Sequence, residues 1–208
     1  MLDSSKIRSY TALVLIGTLT SCSIFSSDSS RLFSILDYLN PKQNSTDSIE
    51  PDEQIKWKLT PHNKDILQIS NQRLTSTYFA TGVEKCGFAQ KVNPLATTRQ
   101  LFVGFEKLNI INQSTIILSG INVARTFVTS TFNNTKVAPI VYSLQYRDCI
   151  KDVVFWTISP SDPALAPSME EIVQNAKLDI ELLDLWVNRY VIKPIEQTQR
   201  DAQKESGR

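Results

Sequence analysis

The chain is poor in the residues that most enzymes use for chemistry. It has a single histidine, His62, set in Thr60-Pro61-His62-Asn63-Lys64. Serine and cysteine hydrolases commonly pair their nucleophile with a histidine base. Only His62 could serve, and no serine lies in a G-x-S-x-G elbow. The segment reads as a turn or strand end, with His62 on the surface. Glycine is scarce, at six residues, and neither G-x-G-x-x-G nor the P-loop pattern occurs. No phosphate-cradling loop is therefore expected. A zinc site needs three or four clustered Cys, His or carboxylate ligands. One histidine and scattered cysteines do not supply them, so neither a metal nor a cofactor is expected. The acidic residues Asp148 and Asp152 flank a turn, and Glu170, Glu171, Asp179, Glu181 and Asp184 lie on a helix, which reads as a solvated face. The expectation is a protein that is not an enzyme.

A strong charge of one sign is also missing. The formal net charge is +1, and the first 21 residues carry that excess in Lys6 and Arg8 against Asp3. Nucleic-acid binding leaves a basic footprint, and none is visible.

Long hydrophobic runs are missing as well. The longest, Tyr10 to Leu19, is broken by Thr11 and Thr18. It is shorter than the roughly 20 apolar residues that a bilayer span requires. Lys6 and Arg8 precede it, and Leu19-Thr20-Ser21-Cys22 follows, which is the three-part layout of a secretory signal. Those last four residues resemble the lipobox of bacterial lipoproteins. The resemblance implies diacylation of the Cys22 sulfur, cleavage between Ser21 and Cys22, and acylation of the new amino terminus. Several acyl chains on one residue anchor stably, whereas one chain binds only marginally. Residues 1–21 are then a signal peptide. The resemblance also implies an envelope location, and Ser23 in place of an aspartate favours the outer membrane over the inner. It covers only these residues and says nothing of the domain that follows.

After Cys22 only Cys86 and Cys149 remain. Two cysteines in an exported domain suggest one disulfide, with two buried thiols as the alternative. A bridge would close a loop of roughly 64 residues, worth about 4 kcal/mol in the chain-entropy treatment.

Residues 22–53 read as a lipidated tether: a serine-rich start, a short amphipathic helix over Arg31–Asn40, and a polar linker from Pro41. A globular domain follows over 54–193. Its first part reads as β, with segments at Ile55–Leu59, Ile66–Ile69, Leu74–Thr81, Gln100–Leu108, Thr115–Leu118, Ile121–Phe132, Ala138–Arg147 and Asp152–Ile158. Period-two alternation joined by short turns predicts an antiparallel sheet. The last segment is apolar on both faces, as a central covered strand should be.

Ser168 with Glu171 then forms a capping box. Met169, Ile172, Val173, Ala176, Ile180, Leu183, Val187, Tyr190 and Val191 repeat at helical spacing. This long helix is expected to cover the sheet, giving an α+β fold. Pro194 should end or kink it near Lys193, leaving 194–208 as a polar, frayed tail.

One feature exceeds what such a fold needs. Leu178, Leu182, Leu185 and Ile192 lie on the opposite side of the same helix. Either the short helix over Arg31–Asn40 buries them, or another protein does. The expected function is that of a lipid-anchored, non-catalytic accessory module. It would meet the membrane through Cys22 and another envelope protein through the leucines. The alternative is a carrier or sensor of an apolar ligand, held by Trp57, Tyr78, Phe79, Tyr142, Tyr146, Phe155 and Trp156.

Overall fold

A computed structural model describes residues 30–33, 58–63, 66–88, 91–132, 135–157 and 167–206. The expected signal peptide, Cys22 and the polar linker lie outside the described residues.

Among the described residues, nine strands form one sheet: β1 (Ser30–Phe33), β2 (Lys58–Asn63), β3 (Ile66–Ser70), β4 (Tyr78–Lys85), β5 (Glu106–Leu118), β6 (Ile121–Phe132), β7 (Thr135–Val137), β8 (Ile140–Tyr146) and β9 (Cys149–Thr157). Seven run in the order β2-β3-β4-β9-β8-β6-β5; β1 pairs with β4, and β7 with β6. Every pairing is antiparallel. Between β4 and β5 lies a short helix α1 (Pro94–Thr98), followed by a 3-10 turn over Arg99–Phe102. The carboxy-terminal part is helical throughout: α2 (Met169–Val187), a π-turn over Asn188–Ile192, and α3 (Lys193–Ser206). The α+β class, the antiparallel sheet and the long covering helix are as the sequence pattern predicts.

Alternation decides the layers. In β8, Ile140, Tyr142 and Leu144 face the long helix, and Val141 and Ser143 face the other way. The helix side holds the larger core, where Leu67, Ile69, Phe127, Val153 and Phe155 meet Ile172, Ala176, Leu183, Trp186 and Val187. Each large side chain fully buried there stabilises the fold by roughly 1.5–3 kcal/mol. The other face packs Val128, Val141, Val154 and Trp156 beneath Phe102. Residues Ile150–Trp156 are all buried, as expected of a central strand covered on both faces.

Ser168 caps α2 in the anticipated way. Its side chain accepts from the Glu171 N–H at 3.2 Å, and the Glu171 carboxylate accepts from the Ser168 N–H at 2.7 Å.

Four expectations are corrected. Arg31–Phe33 were expected to start a helix, but Ser30–Phe33 is a strand. It pairs with Gly82–Lys85, the part of β4 that extends past the last β3 pair, Ile66 with Thr81. The open main-chain edge of β4 thus takes it, and residues 34–40 lie outside the described residues.

The strand expected over Leu74–Thr81 begins only at Tyr78, because the N–H groups of Thr75 and Ser76 are turned towards Asp179. The strand expected over Gln100–Leu108 begins at Glu106. Asn93 caps α1 through its side chain and Pro94 opens it, a favourable helix start. Gly104 then turns the chain with a φ of 88°.

Finally, Pro194 does not end the helix, and the expected polar tail continues it to Ser206. Proline has no N–H and crowds the carbonyl four residues earlier. The π-turn just before it widens the helix, and the Lys193 N–H reaches Asn188 O.

Candidate functional site

Helix α2 is pinned to the sheet by two carboxylates on its inner side. Asp179 is fully buried and accepts from four groups: Thr75 N–H at 2.7 Å, Thr75 Oγ1 at 2.8 Å, Ser76 N–H at 3.2 Å and Tyr78 Oη at 2.8 Å. A buried carboxylate is tolerable only when its lone pairs are engaged in this way. Asp184 accepts from Tyr142 Oη at 2.7 Å and pairs with Arg125 at 2.5 Å. Burial, then the charge of the adjacent carboxylate, pushes the hydroxyls of Tyr78 and Tyr142 well above the ordinary tyrosine value. Both tyrosines therefore stay protonated and donate. Asp179 and Asp184 were expected on a solvated face. They instead fix the rotation of α2 about its axis.

That rotation decides which leucines reach solvent. Leu178 is 68% exposed and Leu185 is 50% exposed. They lie seven positions apart, two turns along one side of the helix. The other two members of the expected stripe are buried: Leu182 at 7% exposure and Ile192 at 0%. Leu182 lies between the buried Asp179 and Trp186 at helical spacing, on the margin of a wide buried face. The π-turn inserts one extra residue before the end of the stripe. An added residue turns the chain by about 100°, which carries Ile192 inwards to the core around Val191 and Ile195. The candidate face is thus Leu178 and Leu185, with the exposed Gln174, Lys177, Glu181 and Arg189 beside them.

Cys86 and Cys149 form a disulfide. It lies one step beyond the Lys85–Ile150 pair, tying the end of β4 to the start of β9. Ligand atoms of Glu84 and both cysteines lie within 4.8 Å of one another. The sulfurs are bonded to each other, however, and Glu84 pairs with Lys151 at 2.8 Å in a buried position. This group therefore offers no thiolate to a metal.

A polar cluster lies on the other face of the sheet. Asp152 stands opposite Ser143 in the β8–β9 ladder, and Ser143 Oγ is 3.0 Å from Thr98 Oγ1 of α1. Asp152 is 5% exposed, and its Oδ1 has no hydrogen-bond partner. Burial pushes its carboxyl up to about 7, against the opposing effect of the hydrogen bond from Ser143. Asp152 was expected beside a turn. It lies inside β9, and the signal that could have revealed it is a lone acid within a strand covered on both sides.

The remaining expected residues are scattered. Cys22 lies outside the described residues. His62 is in β2, next to the bulge between Pro61 and Asn63. Tyr78, Tyr142 and Phe155 pack edge-to-face within the core, with centroids 6.4 and 5.6 Å apart. Trp186, which belonged to neither expected stripe, is fully buried and meets Phe155 edge-on at 5.4 Å. These aromatics fill the space between sheet and helix.

No known family matches the sequence, and no curated protein does. Among solved structures, the chain is similar to the crystal structure of a protein of unknown function from Pseudomonas aeruginosa. The two are 14% identical, the match covers 72% of this chain and 94% of that one, and the TM-score is 0.33.

Proposed function

We propose that the protein is a lipid-anchored, non-catalytic envelope protein that presents the outer side of helix α2 to another envelope protein. The observation that carries this reading is the exposure of Leu178 and Leu185 on a helix whose opposite side is pinned by Asp179 and Asp184. Two exposed leucines on a rigid helix lose little conformational entropy when covered, and they suit a helix-in-groove contact. Surrounding charges of both signs (Lys177, Glu181, Arg189) form a polar rim that would set orientation. The lipobox-like Leu19-Thr20-Ser21-Cys22 supports the anchor, and Ser23 supports the outer membrane as its location.

Two linked measurements test this. Metabolic labelling with an alkyne fatty acid should mark the wild-type protein, and Cys22→Ser should abolish the label and release the protein from the membrane fraction. A photo-crosslinking residue at Leu178 or Leu185 should give one discrete adduct in intact cells, and the same residue at Lys204 should give none. An unlabelled wild type would refute the anchor, and identical adduct patterns at all three positions would refute the docking face.

A further inference from the structure

The two edges of the sheet are built differently. Strand β2 closes one edge. It is six residues long, contains Pro61 and Lys58, and carries a bulge between Pro61 and Asn63. Short length, proline, lysine and bulges are the devices by which proteins keep an edge from pairing with another chain.

Strand β5 closes the other edge and is 13 residues long. Its first half has such devices: Glu106, Lys107 at a φ of 52°, and register shifts before Asn109 and before Asn112. Its second half, Asn112 to Leu118, has none. It contains no charge, proline or glycine, and it pairs with β6 without interruption. Ile117 within it is 71% exposed.

The hairpin geometry shows which main-chain groups point away from β6. Ser119 and Gly120 have φ values of 44° and 78°. Two left-handed residues between the Leu118–Ile121 pair make a two-residue hairpin of the primed type, whose closing pair is hydrogen-bonded. Hydrogen-bonded and non-hydrogen-bonded pairs alternate along an antiparallel ladder. The N–H and C=O groups of Gln113, Thr115 and Ile117 therefore point away from β6, off the edge of the sheet.

We infer that Asn112 to Leu118 is a self-association edge, taken by the same segment of a second copy running antiparallel about a two-fold axis at Thr115. In that register Thr115 faces Thr115 of the second copy, and Gln113 faces Ile117. The three residues with outward main-chain groups thus meet one another in hydrogen-bonded pairs. Thr–Thr is a favourable cross-strand pair, and no charge opposes another. The bulged first half, with Glu106 and Lys107, runs past the hairpin of the other copy and opposes no strand. A two-fold contact of this kind is self-complementary and closes at two copies. It is independent of the leucine face on α2.

Cysteine crosslinking of the full chain in its membrane tests this register. Directly opposed residues have Cβ atoms roughly 4.5–5.5 Å apart, within reach of disulfide formation after a small adjustment. Thr115→Cys should give a covalent homodimer under mild oxidation, and Asn109→Cys, on the bulged half, should not. Thr115→Glu, placing like charges in opposition, should abolish the homodimer that a lysine-reactive crosslinker captures in the wild type, while leaving the secondary structure seen by circular dichroism unchanged. Absence of a Thr115→Cys dimer would overturn the inference, as would equal crosslinking at Asn109→Cys. Crosslinking of Thr115→Cys only to a different protein would also overturn it.

Discussion

The hydroxyl of Tyr78 donates to the buried carboxylate of Asp179 at 2.8 Å, joining strand β4 to helix α2 at the start of the main core. The same carboxylate holds the two N–H groups that precede the strand. One aspartate thus fixes where β4 begins and which side of α2 faces the sheet. Tyr78→Phe removes one bond to a charged acceptor and should cost about 1.5–3 kcal/mol. Asp179→Ala strands all the donors at once and should cost more than Tyr78→Phe. Urea denaturation of the two variants checks this order.

The split of the leucine stripe gives a sharper contrast. Ile192→Glu would bury a charge in a packed core and should prevent stable folding. Leu178→Glu alters a mostly exposed position and should change stability by no more than about 0.5 kcal/mol. Thermal melts of the two variants separate a continuous exposed stripe, which predicts equal effects, from the divided one.

Stability should depend on pH through Asp152. Its carboxyl is raised from an ordinary 3.8 to about 7 in the folded protein. Between those values the folded state holds a proton that the unfolded state has lost, so stability falls as pH rises through this window. The contribution is fully present below pH 4 and gone above about 7, and amounts to a few kcal/mol. Asp152→Asn should flatten this part of the profile. Denaturation of both proteins at pH 4.5 and pH 8 measures the difference, and equal slopes would count against a strained carboxyl.

The Cys86–Cys149 bridge closes a long loop across neighbouring strands. Reduction should lower stability by about 4 kcal/mol in the chain-entropy treatment. Thiol titration of the denatured, unreduced protein should find neither cysteine free.

Local pattern carried much of this architecture. The alternation of Ile140, Tyr142 and Leu144 identified β8, and Ser168 with Glu171 located the start of α2 correctly. What sequence pattern missed came from long-range contacts. Ser30–Phe33 is extended because β4 has a free edge to offer. Thr75 and Ser76 leave the strand path because Asp179, about a hundred residues away, takes their N–H groups. Ile192 turned inwards because Pro194 is accommodated by a π-turn, which a fixed helical period does not anticipate. Asp152 looked like a turn residue because local sequence does not show which strands will flank it.

The proposed docking of Leu178 and Leu185 on another envelope protein is open to direct measurement. The most direct measurement compares the proteins captured with the membrane-anchored wild type and with a Leu178→Glu/Leu185→Glu variant of unchanged melting temperature. A discrete envelope protein should accompany the wild type and be lost from the variant. The same protein captured equally by both forms would contradict it.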